Sequence, residues 1–326
     1  MEIHQQKIVD AARKLGIGVR DLSSLWGVDA VELSLGGRRE TVFRGRVFSS
    51  LRHGSNLIAD HKHVCKQVMK SLGIRVPEGL VFPSSNVDPG PLSSFLERFQ
   101  PSVCKPLDGG GGMAVRMGLT NLADVLEHVA RHADEFAVFL LEQQVNGGDL
   151  RIQAVGGRLV AACIRVPTTL VGDGHHTVRQ LIELRNQVIQ RQNPENHVSI
   201  DHQVTSLLSQ ENLELDDVVA ADRRVVIKKV ANMTQGATAV DVTDRIHPRY
   251  GDWIERIAAE LNMPIFSLDI ITQDLAKDPA EHAMALEINS RSAWLHHTFS
   301  EGRRHDIPTL ILRDLFRLDM PEGELP

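Results

Sequence analysis

The chain has 326 residues, of which 42% are hydrophobic and 4% aromatic, and its 36 basic and 42 acidic side chains give a formal net charge of −6. A negative balance argues against a protein that holds nucleic acid by bulk electrostatics. Few aromatic rings are available to stack on single-stranded bases. No apolar run is long enough to cross a membrane and the N-terminus has no secretory pattern, so we expect a cytoplasmic protein with neither a nucleic-acid nor a membrane partner.

The cysteines are three in number, Cys65, Cys104 and Cys163, and none belongs to a CxxC pair. An odd count without paired spacing predicts neither a disulfide framework nor a thiolate zinc site. We therefore expect three reduced and mostly buried thiols.

The first third of the chain opens with apolar residues at helical spacing, which predict a helix over about residues 3–15 that ends at Gly16. The segment VELSLGGRRETVF predicts a hairpin that turns at its two glycines. Asp60 is predicted to cap a helix that ends at Gly73. The turn formers of residues 83–91 predict a flexible connection.

The middle of the chain interleaves strands and helices. The patterns predict a strand at SVCKP, a loop at LDGGGGM, a strand at AVRMG, a helix capped by Asn121 and ending near His132, a buried central strand at FAVFLLE, and a hairpin over residues 150–166. A helix is predicted from Thr177 to about Gln192, and the polar stretch that follows, to Asp222, predicts a surface insertion with some helix.

The last third contains a strand at RRVVIKKVA, a helix that includes residues 251–261, two apolar strands at MPIFSLDIITQD and HAMALEIN, and a closing helix over about residues 308–318. The elements interleave without the steady β-α-β alternation of a doubly wound sheet. We therefore predict an α+β fold.

Oxygen donors stand in the two C-terminal apolar strands. Asp269 lies in the first strand, and Glu287 and Asn289 lie two apart in the second, so that this pair leaves the same face. A carboxylate in an apolar strand is costly to bury alone. The two explanations are a cation, for which oxygen donors favour Mg²⁺, and an ordinary buried ion pair.

A glycine run follows the strand that ends at Lys105 and Pro106, and it consists of Gly109, Gly110, Gly111 and Gly112. Glycines let a backbone approach an anion closely, and a lysine supplies a point charge to a phosphate. A mobile structural loop is the alternative, because the run is neither a Walker motif nor GxGxxG. Glu142 ends the next apolar strand and Asp149 follows seven positions later, which suits either an adenine and ribose site or a plain strand-to-turn transition.

The order of these features along the chain is specific. It runs Lys62 at a helix start, Lys105 before the glycines, Glu142 with Asp149, then Asp269 with Glu287 and Asn289. This order resembles the ATP-grasp superfamily, from D-alanine:D-alanine ligase to glutathione synthetase, over roughly residues 60–297.

The ATP-grasp part of cyanophycin synthetase is especially similar. That family has a glycine-rich stretch after KPLDG and segments like VVAAARRVPAHVVGDGVHTIRELIE and TANLSTGGTAIDVTDEVHP. The corresponding segments here are KPLDGGGG, LVAACIRVPTTLVGDGHHTVRQLIE and VANMTQGATAVDVTDRIHP. The family often continues after the metal-binding asparagine as NAAPG, whereas this chain has Arg291, Ser292 and Ala293 in that turn. Arg291 is then either a substitute carboxylate clamp or a surface arginine.

The resemblance implies an ATP-grasp fold in which two α+β lobes grip ATP beside a small N-terminal domain. It implies an N-terminal region over residues 1–60, a small lid-bearing lobe over 61–145, and a large lobe over 146–326 with an insertion around 170–222.

The resemblance also implies roles for individual residues. The ATP-binding residues would be Lys62, Lys105, Gly109, Gly110, Gly111, Gly112, Glu142, Val145, Asp149 and Leu286. The ligands of one or two Mg²⁺ ions would be Asp269, Glu287 and Asn289. The residues facing the transferred phosphate or the substrate carboxylate would be Arg151, Arg165, Lys228 or Lys229, and the loop from Asn232 to Gly236, with Arg291 as the carboxylate clamp.

The activity that the resemblance implies is ATP-dependent ligation of a carboxylate to an amine through an acyl phosphate, on amino acids or short peptides, by an enzyme that is a dimer or tetramer in many relatives. Two alternatives remain open. One is a ligase that modifies a ribosomal or carrier-bound peptide in natural-product assembly, and the other is a nucleotide-binding module whose catalytic site has decayed. Synthesis of cyanophycin by this chain alone is not expected, because the further domains of that enzyme do not fit in this length.

Overall fold

The computed structural model describes residues 1–109, 112–194, 196–229, 231 and 233–319. Its helices are α1 Ile3–Lys14, α2 Ser23–Trp26, α3 His53–Asp60, α4 Lys62–Ser71, α5 Pro89–Arg98, α6 Leu122–His132, α7 Val178–Gln192, α8 His202–Gln210, α9 Arg249–Leu261, α10 Pro279–His282, α11 Leu295–Thr298 and α12 Ile307–Phe316. Its strands are β1 Gly18–Asp21, β2 Ala30–Leu35, β3 Arg38–Phe43, β4 Val47–Phe48, β5 Gly79–Pro83, β6 Ser102–Pro106, β7 Arg116–Leu119, β8 Val138–Gln143, β9 Gly148–Val155, β10 Arg158–Val166, β11 Thr169–Val171, β12 Arg224–Val226, β13 Thr238–Asp241, β14 Phe266–Thr272 and β15 Ala283–Asn289.

The chain separates into two compact units. The first comprises residues 1–50, 161–243 and the chain from Ala293, and the second comprises residues 51–160 and 244–292. The mixture of helices with antiparallel sheets confirms the predicted α+β class. The three-part division at residues 60 and 145 remains a prediction.

The second unit contains two antiparallel groups of strands. One is a four-stranded sheet in the order β5-β8-β6-β7, in which β8 is an interior strand as predicted. Its core is formed with α5 and α6 by residues such as Leu92, Val125 and Phe139, all completely buried. The other group places β14 between β9 and β15.

The first unit has a meander of β1 to β4 and a separate apolar core under α7 and α8. The predicted N-terminal helix, the glycine hairpin and the helix beginning after Thr177 are all confirmed, the last with a full capping box between Thr177 and Gln180. The three cysteines are free and buried, as expected.

Three local predictions are wrong or incomplete. Asp60 ends α3, and it is the His61 side chain that accepts from Val64 N at the start of α4. The predicted flexible connection ends early, because Asp88 caps α5 with a proline in its first turn. The expected insertion does contain a helix, α8. It is not confined to the surface, however, because the insertion buries Val204, Leu208 and Val219 in the core beside α7.

A glycine fixes the approach between the N-terminal helix and the β3–β4 turn in the first unit. Gly45 has φ +65°, and a Cβ there would lie 2.3 Å from the backbone carbonyl carbon of His4. Gly45→Ala is expected to lower the free energy of unfolding by about 3 kcal/mol or more, because a left-handed alanine costs roughly 1–2 kcal/mol and overpacking adds roughly 1–3. Urea unfolding measures this. Gly37→Ala is the control, because Gly37 has φ +79° with open space around its Cα, and equal losses in the two variants would contradict the account.

Candidate functional site

The register of β9, β14 and β15 puts ionisable side chains on one face of the second unit. Asp269 pairs with Glu287 on one side and with Arg151 on the other, while Asn289 pairs with Ser267. Since alternate residues of a strand share a face, the three predicted oxygen donors stand on the same face as Arg151. Arg151 Nε lies 2.9 Å from Asp269 Oδ1, and both side chains are buried. Asp269 thus makes the buried ion pair that the sequence left as one explanation for its burial.

A β-bulge lies directly beside these carboxylates. Asp269 pairs with Glu287, but Ile270 pairs with Ala285, which leaves Leu286 as the extra residue. Bulges bend a strand and redirect the neighbouring side chains, and they are frequent next to active sites. Leu286, predicted to pack beneath the adenine, is half-buried at this bulge.

Two buried polar residues extend the face, and the sequence analysis missed them. Ser292 Oγ donates to Gln153 Oε1 at 2.7 Å, and Gln153 Nε2 donates to the Phe266 carbonyl at 3.0 Å. Gln153 stands two positions after Arg151 on β9. That spacing was a usable signal, since a second polar residue on the same face of an apolar strand marks a polar surface. The hydrogen bond from Ser292 attaches the turn after β15 to this surface.

Two lysines share the carboxylate of Glu142. Glu142 lies near the end of β8, where Lys105 Nζ on the adjacent strand β6 lies 3.1 Å from Glu142 Oε2. Lys66 Nζ donates to the same oxygen. Lys66 is 4% exposed and Glu142 is 3% exposed. Lys66 was not predicted, although it follows Lys62 by four positions and therefore stands on the same face of α4.

Lys66, Lys105 and Glu142 form a trio in which burial and neighbouring charges shift the pKa values of Lys66 and Glu142. The pKa of Lys66 is lowered to about 8, chiefly by burial and then by the neighbouring charge of Lys105, while Glu142 opposes the shift. Burial alone would raise the pKa of Glu142, but Lys105 and Lys66 outweigh it, so this pKa stands below its ordinary value. With both lysines protonated and Glu142 ionised, two positive charges face one negative charge. The trio therefore carries an excess positive charge that suits an anion.

Lys62 begins α4 as predicted and reaches the segment that leads into the glycine run. Its Nζ donates to the Leu107 carbonyl at 3.2 Å and to the Gly109 carbonyl. Burial lowers the pKa of Lys62, an effect that Glu287 opposes and Lys105 reinforces. The pKa of Lys62 thus responds both to Lys105 and to Glu287, the latter on the sheet face of Asp269, Glu287 and Asn289, which we call the carboxylate face. Gly112 has φ +80°, whereas Gly110 and Gly111 lie outside the described residues.

The remaining predicted site residues of the second unit are Val145, Asp149 and Arg291. Val145 is half-buried in the turn after β8, and Asp149 is half-buried on β9, where it stands two positions before Arg151. Arg291 follows β15, and its guanidinium donates to Asp60 Oδ2 at 2.7 Å. Its side chain is 59% exposed. Asp60, predicted as a helix cap, instead anchors this arginine.

The candidates of the first unit fall in other elements. Arg165 is half-buried on β10, opposite Ala239 of β13. Lys228 is 2% exposed and is paired with Asp201, whereas Lys229 is exposed. Of these two alternatives, Lys229 is the lysine accessible to a ligand. Asn232 lies outside the described residues.

The donors on the carboxylate face fit a hard cation. Two carboxylates and an amide oxygen, from Asp269, Glu287 and Asn289, are the oxygen ligands that Mg²⁺ takes, with its remaining positions filled by water or phosphate. Within the described ranges, no group of three or more histidines, cysteines, aspartates or glutamates is placed to hold a metal ion by itself. The fit therefore depends on the amide of Asn289, whose side-chain nitrogen is buried without a hydrogen-bond partner among the described atoms.

Comparison with known proteins supports the resemblance to ATP-grasp proteins. Residues 66–215 match the family described as prokaryotic glutathione synthetase, ATP-grasp domain. Over most of its length the chain also superposes on the bifunctional glutathione synthetase from Pasteurella multocida, with a TM-score of 0.71, 23% identity, and coverage of 97% of this chain and 44% of that one. The chain has the ATP-grasp fold, and its resemblance to the ATP-grasp superfamily is confirmed. ATP-grasp proteins use ATP.

Curated relatives point to two families within this class. A cyanophycin synthetase from Crocosphaera subtropica is 26% identical over 86% of this chain and 33% of its own length. The glutathione biosynthesis bifunctional protein GshAB from Mannheimia succiniciproducens is 27% identical over 97% of this chain and 43% of its own length. The chain therefore spans less than half of each of these relatives. In the part of the chain that the structure describes, no helix has the length and apolar character needed to span a membrane.

Proposed function

We propose that this chain is an ATP-dependent carboxylate–amine ligase that forms an amide between amino acids or short peptides and releases ADP and phosphate. The observation that carries the proposal is that the second unit holds both the lysine pair bound to Glu142 and the sheet face that carries Asp269 and Glu287. Nucleotide phosphates need such cations, and the metal that accompanies them needs such carboxylates. The names of the relatives, a cyanophycin synthetase and a glutathione biosynthesis protein, support amide formation.

The chemistry requires no protein nucleophile. A substrate carboxylate oxygen attacks the γ-phosphorus of ATP, the bond to the β,γ-bridging oxygen breaks, and ADP leaves from an acyl phosphate. The amine of the second substrate then attacks the acyl carbon, the bond from that carbon to the phosphate oxygen breaks, and the amine loses a proton as phosphate departs. Both steps depend chiefly on alignment and on compensation of charge.

The residues of this chain fit those demands. Lys105 and Lys62 would neutralise the ATP phosphates, and the glycine run would cover them and keep water from the acyl phosphate. Val145, Leu286 and Asp149 would receive the adenine and ribose. The groups that would face the transferred phosphate and the substrate carboxylate are Arg151, Arg165, Lys229, the loop at 232–236, and Arg291.

Asp269, Glu287 and Asn289 would hold Mg²⁺, which when bound would offset the negative charge of the phosphates. Arg151 would then have two roles. It balances the charge of Asp269 in the sheet, and its remaining guanidinium nitrogens can donate to a phosphate or carboxylate oxygen. Assembly as a dimer or tetramer remains a prediction.

A screen of Mg-ATP with pooled amino acids and dipeptides tests this proposal. Phosphate release is followed with a coupled assay, and each mixture is examined by mass spectrometry. We expect a new mass equal to two substrates minus one water. Nucleotide binding without turnover in any pool, including pools with candidate peptide partners, would instead support the decayed module, and turnover only with a peptide partner would support the peptide-modifying alternative.

A further inference from the structure

The inserted segment, residues 170–222, packs against the loop at 233–237 in the first unit. The sequence predicts a surface insertion here, yet its side chains form hydrogen bonds to the backbone of that loop and contribute a buried core. The loop leads directly into β13. Met233, Gly236 and Ala237 are buried, while Thr234 is exposed.

Asn196 binds two consecutive residues of the loop. Its Oδ1 accepts from Gly236 N at 2.8 Å, and its Nδ2 donates to the Ala237 carbonyl at 3.1 Å. The side chain lies in a residue that is only 3% exposed. The asparagine side chain accepts through its oxygen and donates through its nitrogen. Ionised aspartate only accepts and alanine does neither, so neither residue can form both bonds.

Arg185 and Thr168 bind the carbonyls of the same loop. Arg185 Nη2 donates to the Gly236 carbonyl at 2.6 Å, and Arg185 Nη1 donates to the Thr169 carbonyl at 3.3 Å. Thr168 Oγ1 donates to the Gln235 carbonyl at 2.8 Å. Three consecutive residues of the loop, 235–237, are thus held by side chains.

The inserted segment also touches the loop sterically. Gly236 has φ +89°, and a Cβ there would lie 2.2 Å from Val198 Cγ2. Both the amide and the carbonyl of Gly236 are occupied by side chains of the insert, and its Cα faces Val198. The insert therefore holds the backbone of Gly236 in its positive-φ conformation.

We propose that Asn196 and Arg185 are positioning residues, which hold residues 235–237 in the conformation with which the loop receives the transferred phosphate or the substrate carboxylate. This inference rests on the proposed function, which assigns the loop to those groups. The inserted segment then contributes to substrate binding indirectly, because it holds the loop in place.

The matched variants are Asn196→Ala and Asp173→Ala. Asp173 Oδ1 accepts from His175 N and from His176 N, both at 2.9 Å and both within the insert itself. Each variant loses two side-chain-to-backbone hydrogen bonds, and only Asn196→Ala loses those to the loop. The readouts are hydrogen exchange of a peptide covering residues 233–238, Mg-ADP affinity by calorimetry, and steady-state turnover with the substrates found by the screen.

We expect Asn196→Ala to raise exchange in 233–238 at least tenfold and to raise KM for the carboxylate substrate at least tenfold, with Mg-ADP affinity within twofold of wild type. Asp173→Ala should leave both quantities near their wild-type values. Equal exchange in the two variants, or raised exchange with unchanged KM, would overturn the inference. Absence of turnover in the wild-type protein would instead refute the proposed function, and the exchange comparison would still decide whether Asn196 holds the loop.

Discussion

Glu287→Gln is expected to lower amide formation about 100- to 1,000-fold, the usual effect of removing one preorganised electrostatic group from an active site. Glu287 pairs across β14 and β15 with Asp269, and its charge opposes the depression of the Lys62 pKa. Glutamine keeps the shape of the side chain, but it removes the negative charge beside Asp269 and the effect of that charge on Lys62. The fold should survive, because Glu287 is half-buried and Asp269 keeps its pair with Arg151.

Two measurements check this result. Turnover gives the loss, and calorimetry of ADP with and without Mg²⁺ shows whether the cation's contribution to ADP affinity has gone. Glu281→Gln is the control, since this glutamate lies just before β15 with a side chain that is 77% exposed. Unchanged turnover and unchanged Mg²⁺ dependence in Glu287→Gln would contradict the assignment of the carboxylate face.

Lys66→Met is expected to weaken Mg-ADP binding at least tenfold and to lower the free energy of unfolding by about 3 kcal/mol, because one partner of a buried ion pair is removed. Without Lys66, the negative charge of Glu142 balances the positive charge of Lys105, so no excess positive charge remains for an anion. Lys70→Met is the matched control on the same helix. Its pair with Glu78 is half exposed, so a stability loss below about 1 kcal/mol is expected.

The pH dependence separates a role in binding from a purely structural one. The pKa of Lys66 is lowered to about 8, so its charge is present below that pH and is lost as the pH rises through it. Mg-ADP affinity of the wild type should therefore fall above about pH 8. Lys66→Arg should restore binding and remove this decline, because a guanidinium stays charged. A decline that persists unchanged in Lys66→Arg would show that another group is responsible.

Patterns that are local in sequence predicted much of the fold. Asn121 caps the helix expected of it, and the helix expected from Thr177 begins directly after that residue. The apolar strands at 266–272 and 283–289 pair so that Asp269 stands beside Glu287. These features follow from capping chemistry and from the two-residue period of a strand, which a single sequence displays. The order of the charged residues was sufficient to indicate the ATP-grasp class.

Features that depend on distant contacts could not be predicted in the same way. Helix α3 has no side-chain N-cap of its own, and Ser55 within it donates to the Leu261 carbonyl, far along the chain. The partnership of Lys66 with Glu142 joins residues separated by 76 positions. Asn196, likewise, reads as one polar residue in a polar stretch until its loop partners are known. Such residues carry no periodic signal, because tertiary packing alone determines their neighbours.

The most direct test of the account follows an oxygen atom. The protein is incubated with Mg-ATP and a pool of amino acids and dipeptides whose carboxyl groups carry ¹⁸O, and the released phosphate is examined by mass spectrometry. If the carboxylate attacks the γ-phosphorus and the amine later displaces phosphate, one ¹⁸O passes into each phosphate that accompanies an amide. Amide product accompanied by unlabelled phosphate would contradict the acyl-phosphate mechanism, and the absence of both product and label would contradict the assignment of this chain as an amino acid or peptide ligase.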